Sequence, residues 1–181
     1  MSRTEERSVV EHGIEGTAWV FGDAVNTDDM YPGFAIRLPV EEAAQAMFSS
    51  SRPGWPSLVQ PGDIVVGGRN FGLGSSRPVP ALFRQLGVAA LVAEQFNSLF
   101  YRNCINYGLP ALTVPGIRDH VAEGDRLRVD VAGATVSNLT AGTEVAGVVL
   151  PPFIQSILRS GGLVAQLEAT GALRTPTSTE E

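Results

Sequence analysis

The segment between residues 61 and 114 alternates apolar runs with helical patterns, and this alternation restricts the fold more than any other feature of the chain. A strand covered on both faces is typically a continuous apolar run, and three such runs are predicted strands: 61–68, 88–95 and 109–114. The two segments between them, 78–87 and 97–108, each end at a glycine and are predicted helices. The order strand, helix, strand, helix, strand favours parallel pairing through right-handed crossovers.

The flanking regions extend this core into a mixed sheet. A predicted strand at 17–21 and a predicted helix at 39–48 precede it. Three β segments with short turns between them follow and are predicted to be antiparallel: 125–133, 134–139 and 143–150. Two short helices, separated by a Gly-Gly pair, are predicted within 151–171. We therefore expect an α/β fold in one domain over 1–171, with a partly parallel sheet flanked by helices and additional antiparallel β segments, followed by a disordered tail at 172–181.

Charge and hydropathy argue against two classes of partner. The 181 residues are 44% hydrophobic, which is enough for a proper core. The net charge of -6 argues against nucleic acid, because nucleic-acid-binding surfaces are normally basic. No apolar run is long enough to span a bilayer, and the first residues lack the apolar core of a signal peptide. We expect a cytoplasmic protein that binds neither nucleic acid nor membrane.

The few thiol and imidazole side chains limit the metal chemistry that this chain can hold. It has one cysteine, Cys104, and two histidines, His12 and His120, that lie far apart in the sequence. An internal disulfide is impossible, all-thiolate ligation of an iron–sulfur cluster is excluded, and no zinc-ligand spacing is present. We expect Cys104 to pack as a small apolar group. A cluster, if the chemistry needs one, must come from another chain.

The stretch GGRNFGLGSSRP, residues 67–78, places four glycines and a Ser-Ser-Arg run between a predicted strand and a predicted helix. Backbone N–H groups at a helix start attract anions, and the arginine fork suits a carboxylate or phosphate. Two interpretations stay open on this ground alone: an anion-binding loop, or a tight turn in which a serine caps the helix. The glycine spacing matches neither the dinucleotide fingerprint nor the phosphate loop, so nucleotide binding is disfavoured.

Three stretches together are similar to a known family. They are GDAVNTDDMYPG, GGRNFGLGSSR and LGVAALVAEQFNSLFYRNCINYGLPAL. In sequence and spacing they resemble the small subunits of the aconitase-type hydro-lyases, above all those of 3-isopropylmalate dehydratase (isopropylmalate isomerase), an enzyme of leucine biosynthesis. The likeness runs from about residue 16 to residue 115, and the chain length fits a whole small subunit.

The resemblance implies a swivelling β/β/α domain and a heteromeric enzyme. The partner would be a large subunit that carries a [4Fe-4S] cluster whose open iron binds the substrate, and this chain would bind no cofactor or metal itself. The reaction would dehydrate and rehydrate a hydroxy-dicarboxylate or tricarboxylate through an unsaturated intermediate. Activity would require both chains.

The resemblance also implies roles for the glycine-rich stretch. Ser75 would be the base that takes the proton next to a carboxylate, and Ser76 and Arg77 would bind substrate carboxylate. Asn70, together with the glycines, would shape the loop around the substrate. Serine becomes a plausible base only if N–H groups and positive charge stabilise its alkoxide.

Further residues are implied in the segment that precedes the first predicted helix. Thr27 and Asp28 belong to the acidic stretch of the family, while Asp28 and Asp29 could orient a partner or a substrate-binding group, or serve as turn caps. Relatives have a substrate-recognition loop after the Pro-Gly pair, which here is FAIRLP, residues 34–39. Arg37 in that loop could reach a second carboxylate of the substrate, or it could be a solvated loop arginine.

The sequence departs from the family at one place in this loop. The family run continues Ser-Ser-Arg-Glu-His-Ala, whereas this chain has Pro78, Val79 and Pro80 after the arginine. A charged pair that could orient Arg77 is therefore missing. Two further hypotheses follow: a paralogue that acts on another hydroxyacid, of the dimethylmalate, citramalate/mesaconate or homoaconitate type, or a non-catalytic module that binds carboxylates.

Overall fold

The computed structural model describes residues 13–74 and 77–173. Within these residues seven strands form one sheet in the order β4-β3-β2-β1-β5-β6-β7. The strands are β1 (Ile14–Val20), β2 (Ile64–Gly67), β3 (Ala90–Ala93), β4 (Ala111–Thr113), β5 (Arg126–Asp130), β6 (Thr135–Asn138) and β7 (Thr143–Ala146). The helices are α1 (Thr27–Met30), α2 (Val40–Gln45), α3 (Val79–Gln85), α4 (Ser98–Asn106), α5 (Pro152–Arg159) and α6 (Leu163–Ala169), with 3-10 turns at Gly33–Arg37, Trp55–Ser57 and Ile117–Asp119.

The parallel half of the sheet has the predicted order. β1 pairs with β2, β2 with β3 and β3 with β4, all parallel, and α3 and α4 are the crossovers. The antiparallel half is also confirmed, because β5, β6 and β7 form a meander. β1 begins earlier than predicted, since its residues 14–17 pair with β5 in antiparallel register. The expected tail lies outside the described residues from position 174 onward.

The sheet curls until its two edges approach each other. The N–H of Val148, just after β7, donates to the carbonyl of Thr113 at the end of β4, at 2.8 Å. Alternate strand residues such as Ile64 and Val66 fill the inside of this curl, while Val65 and Leu91 face the aromatic core beneath the helices. Residues on the two faces of the sheet, together with the helices packed against them, thus form two separate hydrophobic cores.

The topology determines where loops can meet. Because β1 to β4 are parallel, the connections that follow them all emerge at the carboxyl ends of these strands, here called the carboxyl edge. Ligands usually bind at this side of such sheets. None of the helices in the described part of the chain is long and apolar enough to cross a membrane.

Candidate functional site

Two loops meet at the carboxyl edge of the parallel strands. The acidic loop, residues 21–31, follows β1, and the glycine loop, residues 68–77, follows β2. Their main chains are joined by hydrogen bonds: the N–H groups of Gly72 and Leu73 donate to the carbonyl of Val25 at 2.9 and 3.0 Å. The Thr27 N–H then donates to the Leu73 carbonyl at 2.7 Å. The two motifs that the sequence analysis singled out therefore form one structural unit.

The glycine loop approaches the acidic loop so closely that position 74 has no room for a side chain. A Cβ on Gly74 would lie 2.6 Å from Oδ1 of Asn26 and 2.8 Å from Oγ1 of Thr27. The φ angle of Gly74 is +118°, a region that side chains rarely tolerate. Glycine at this position serves the close packing of two loops immediately before the Ser-Ser-Arg run.

A short helix presents the acidic residues. Asn26 caps α1, because its side chain accepts the N–H of Asp28 at 2.8 Å. Asp28 and Asp29 are therefore first-turn residues, and the turn-cap role considered for them falls to Asn26. The Asp29 carboxylate instead accepts the Ser51 hydroxyl. The Asp28 side chain is 60% exposed and is available to a charged partner.

Arg77 is that partner. Its Nη1 lies 3.0 Å from Oδ1 of Asp28 and donates to the main-chain carbonyl of Tyr31 at 2.5 Å. The Arg77 side chain is 22% exposed. Within the described parts of the chain, neither its Nε nor its Nη2 is hydrogen-bonded. The guanidinium is thus anchored through Nη1.

The Pro78-Val79 departure has a structural explanation. Pro78 is the residue before α3, and Val79 and Pro80 are buried in its first turn. Apolar packing therefore occupies the place of the family's charged pair, and the acidic loop provides the carboxylate that orients Arg77. The N-cap residue, Pro78, makes no side-chain hydrogen bond to this helix, and the serines of the capping interpretation lie outside the described residues.

The other predicted residues occupy different environments. Thr27 is completely buried, and its N–H joins the two loops. Asn70, with φ of +52°, turns the glycine loop, and its Oδ1 lies 3.5 Å from Nδ2 of Asn97. Arg37 is exposed at the end of a 3-10 turn. Ser75 and Ser76 lie outside the described residues.

Sequence reasoning missed Asp23, which joins the start of the glycine loop to the turn after β4. Oδ1 of Asp23 accepts the N–H of Arg69 at 2.8 Å and lies 3.2 Å from Nη1 of Arg118. These contacts, first the backbone hydrogen bond and then the Arg118 charge, hold the pKa of Asp23 below its usual value. Only the Gly-Asp start of the acidic loop could have drawn attention to it.

The buried thiol and a cavity at the amino ends of the strands lie apart from this unit. Across residues 13–74 and 77–173, no group of three or more His, Cys, Asp and Glu side chains could hold a metal ion. Cys104 is buried, and burial raises the pKa of its thiol. A cavity of about 620 Å³ lies at the opposite, amino edge of the strands, where Arg84 donates to the Tyr107 carbonyl. It contains none of the predicted site residues.

Known proteins share both the sequence and the fold. The model of the aconitase C-terminal domain matches residues 57–116. An isopropylmalate/citramalate isomerase small subunit from Methanocaldococcus jannaschii is 42% identical over 86% of this chain and 94% of its own length. A 3-isopropylmalate dehydratase small subunit 1 from Thermotoga maritima is 39% identical over 88% and 97%.

A homoaconitase small subunit from Methanothermobacter thermautotrophicus is 42% identical over 83% of this chain and 88% of its own length. The crystal structure of a 3-isopropylmalate dehydratase from M. jannaschii superposes with a TM-score of 0.83 at 31% identity, covering 88% of this chain and 96% of that one. The chain therefore belongs to the family of 3-isopropylmalate dehydratase small subunits, the smaller chains of heteromeric aconitase-type hydro-lyases.

Proposed function

We propose that this chain, together with a large subunit, dehydrates and rehydrates a hydroxy-dicarboxylate or tricarboxylate, with Ser75 as base and Arg77 as carboxylate ligand. The observation that carries the proposal is the anchoring of Arg77 by the acidic loop, directly after the Ser-Ser pair. It gives this arginine a fixed position at the edge of the sheet where the two family motifs meet.

The manner in which Arg77 is held suits the binding of a substrate carboxylate. Asp28 and the Tyr31 carbonyl both engage Nη1, so the N–H groups of Nε and Nη2 can donate to two carboxylate oxygens side by side. A negatively charged Asp28 is a poor direct ligand for a carboxylate. Its proposed role is to orient Arg77, which assigns it a positioning function within the predicted site.

The proposed chemistry begins with proton removal next to a carboxylate. The Ser75 alkoxide takes the proton, the C–H electrons form the new double bond, and the hydroxyl on the neighbouring carbon leaves. Negative charge accumulates on the carboxylate during this step, and the Arg77 guanidinium can stabilise it as it develops. Ser76 would bind the same carboxylate. We place the donor that protonates the departing hydroxyl on the large subunit.

Membership of a small-subunit family supports a large-subunit partner, and the described residues offer no ligand set for a cluster. We therefore propose that the [4Fe-4S] cluster belongs to that partner. The segment after Pro32 supports a covered surface, because Phe34 is 68% exposed and Ile36 48% exposed. Leu38 and Val40 in the same segment are exposed as well, and such clustering of exposed apolar side chains suits a binding surface better than scattered ones do. Arg37 lies among them and is proposed to reach a second substrate carboxylate.

The substrate's second group decides between isopropylmalate and another hydroxyacid. The relatives include proteins named for isopropylmalate/citramalate and for homoaconitate chemistry, and the Pro78-Val79 change motivates the second candidate. The test is to assemble the chain with its large subunit and to measure hydration of the unsaturated acids from isopropylmalate, citramalate, dimethylmalate and homocitrate. We expect turnover by the pair with one preferred substrate, and none by the lone chain.

A non-catalytic module gives the opposite result. Calorimetry on the lone chain would then detect tight dicarboxylate binding, and adding the large subunit would produce no hydration of any of the four acids. That pair of outcomes would overturn the proposed function.

A further inference from the structure

Asp23 connects three loops at the carboxyl edge of the sheet. It lies in the acidic loop after β1, accepts the Arg69 N–H of the glycine loop after β2, and pairs with Arg118 in the turn after β4. The Arg69 side chain extends in turn to Glu94 after β3, with 3.3 Å between Nε and Oε2. One carboxylate, in the loop after β1, thus contacts the connections that follow β2 and β4 and joins three of the four connections.

The main chains around Asp23 are built to receive it. The Gly68 N–H donates to the Gly22 carbonyl at 3.0 Å, and the Ala24 N–H donates to the Arg69 carbonyl at 2.7 Å. A Cβ on residue 68 would overlap the Asp23 carboxylate, so glycine is required there for close approach. The main chain at the start of the glycine loop therefore packs closely around the Asp23 side chain.

Stability alone does not account for this arrangement. The Asp23 side chain is 60% exposed and that of Arg118 is 37% exposed. Ion pairs at such exposure contribute little to folding, because water screens them. The main effect of the contacts is therefore geometric: they fix the first residues of the loop that continues to Ser75.

We propose that Asp23 is a positioning residue for the reaction, which fixes the start of the glycine loop through the Arg69 N–H and is itself oriented by Arg118. This inference rests on the proposed function. Arg77 has its own anchors in Asp28 and the Tyr31 carbonyl. Loss of Asp23 should therefore disturb the base more than the carboxylate ligand, and lower kcat more than it raises KM.

The chain provides a matched control. Asp130 makes the same contact in the β5–β6 hairpin, where its Oδ1 accepts the Gly133 N–H at 2.8 Å. A Cβ on Gly133 would likewise overlap the Asp130 carboxylate. Asp130→Ala therefore removes an equivalent hydrogen bond at a turn that the proposed mechanism does not use.

The experiment compares Asp23→Ala, Asp23→Asn and Asp130→Ala in two assays. In the first, hydrogen exchange of the full-length chain should accelerate over residues 68–74 in Asp23→Ala and remain as in the wild type there in Asp130→Ala. In the second, the assembled pair should lose about tenfold in kcat with Asp23→Ala and less with Asp23→Asn, which keeps the acceptor, while KM changes by less than about threefold. Arg118→Lys should retain more kcat than Arg118→Ala.

Three results would overturn the inference: unchanged exchange over 68–74, equal kcat losses in Asp23→Ala and Asp130→Ala, or a loss that disappears when more large subunit is added. The last result would assign Asp23 to the subunit interface. A wild-type pair without hydro-lyase activity would instead refute the proposed function. In that case the exchange assay still decides whether Asp23 fixes the loop.

Discussion

At the residue scale, Arg77 shows that a motif can identify a functional side chain without predicting its contact partners. The Ser-Ser-Arg run marked the arginine, but its partners are Asp28 and a main-chain carbonyl from a different loop. Such pairing depends on which strands are neighbours, and local sequence does not encode it. Asp23 was missed for the same reason, because its partners Arg69 and Arg118 lie far along the chain.

Asp23 gives a pH-dependent prediction. Its pKa is lowered mainly by the Arg69 N–H, so its contribution to stability is complete above the unfolded value of about 3.9 and is lost as the pH falls through the lower folded value. Asp23→Asn should slightly lower the free energy of unfolding near neutral pH. The difference in unfolding free energy between this variant and the wild type, measured by urea titration, should disappear as the pH falls below about 4. A gap that is the same at both pH values would contradict this assignment.

At the element scale, the alternation between residues 61 and 114 predicted three strands, two helices and their parallel order, and the structure confirms them. Buried runs and glycine stops are local signals. The beginning of β1 was missed because it depends on pairing with β5, a distant strand. The short helix α1 was missed because its four residues carry no period, and only its Asn26 cap marks it.

Gly74 tests whether the two loops act as one element. Gly74→Ala should cost about 1–3 kcal/mol more in unfolding free energy than Gly142→Ala, because a Cβ at 74 meets Asn26 and Thr27. Gly142 is the matched control, since its φ is +70° and nothing lies within 4 Å of its added Cβ. Chemical denaturation of both variants measures the difference. Equal costs would mean that the loops are not packed against each other as described.

At the scale of the whole molecule, the curled sheet brings separate sequence motifs to one edge, while two cores fix the strands that carry them. The family resemblance predicted this architecture, and the structural neighbour confirms it. The molecule offers an anchored arginine and, in the segment after Pro32, exposed apolar side chains, and its described residues contain no group of side chains that could hold a metal ion. These features fit a subunit whose active site is completed by a partner chain.

The central claim is that this chain supplies the base and the carboxylate ligand, and steady-state kinetics of the assembled pair test it most directly. Ser75→Ala should lower kcat by about 10²-fold or more with little change in KM, whereas Arg77→Lys should raise KM by about tenfold or more, since lysine lacks the planar fork. Arg126→Lys, an exposed change on β5, should leave both constants unaltered. Full turnover and an unchanged KM in both Ser75→Ala and Arg77→Lys would contradict the account.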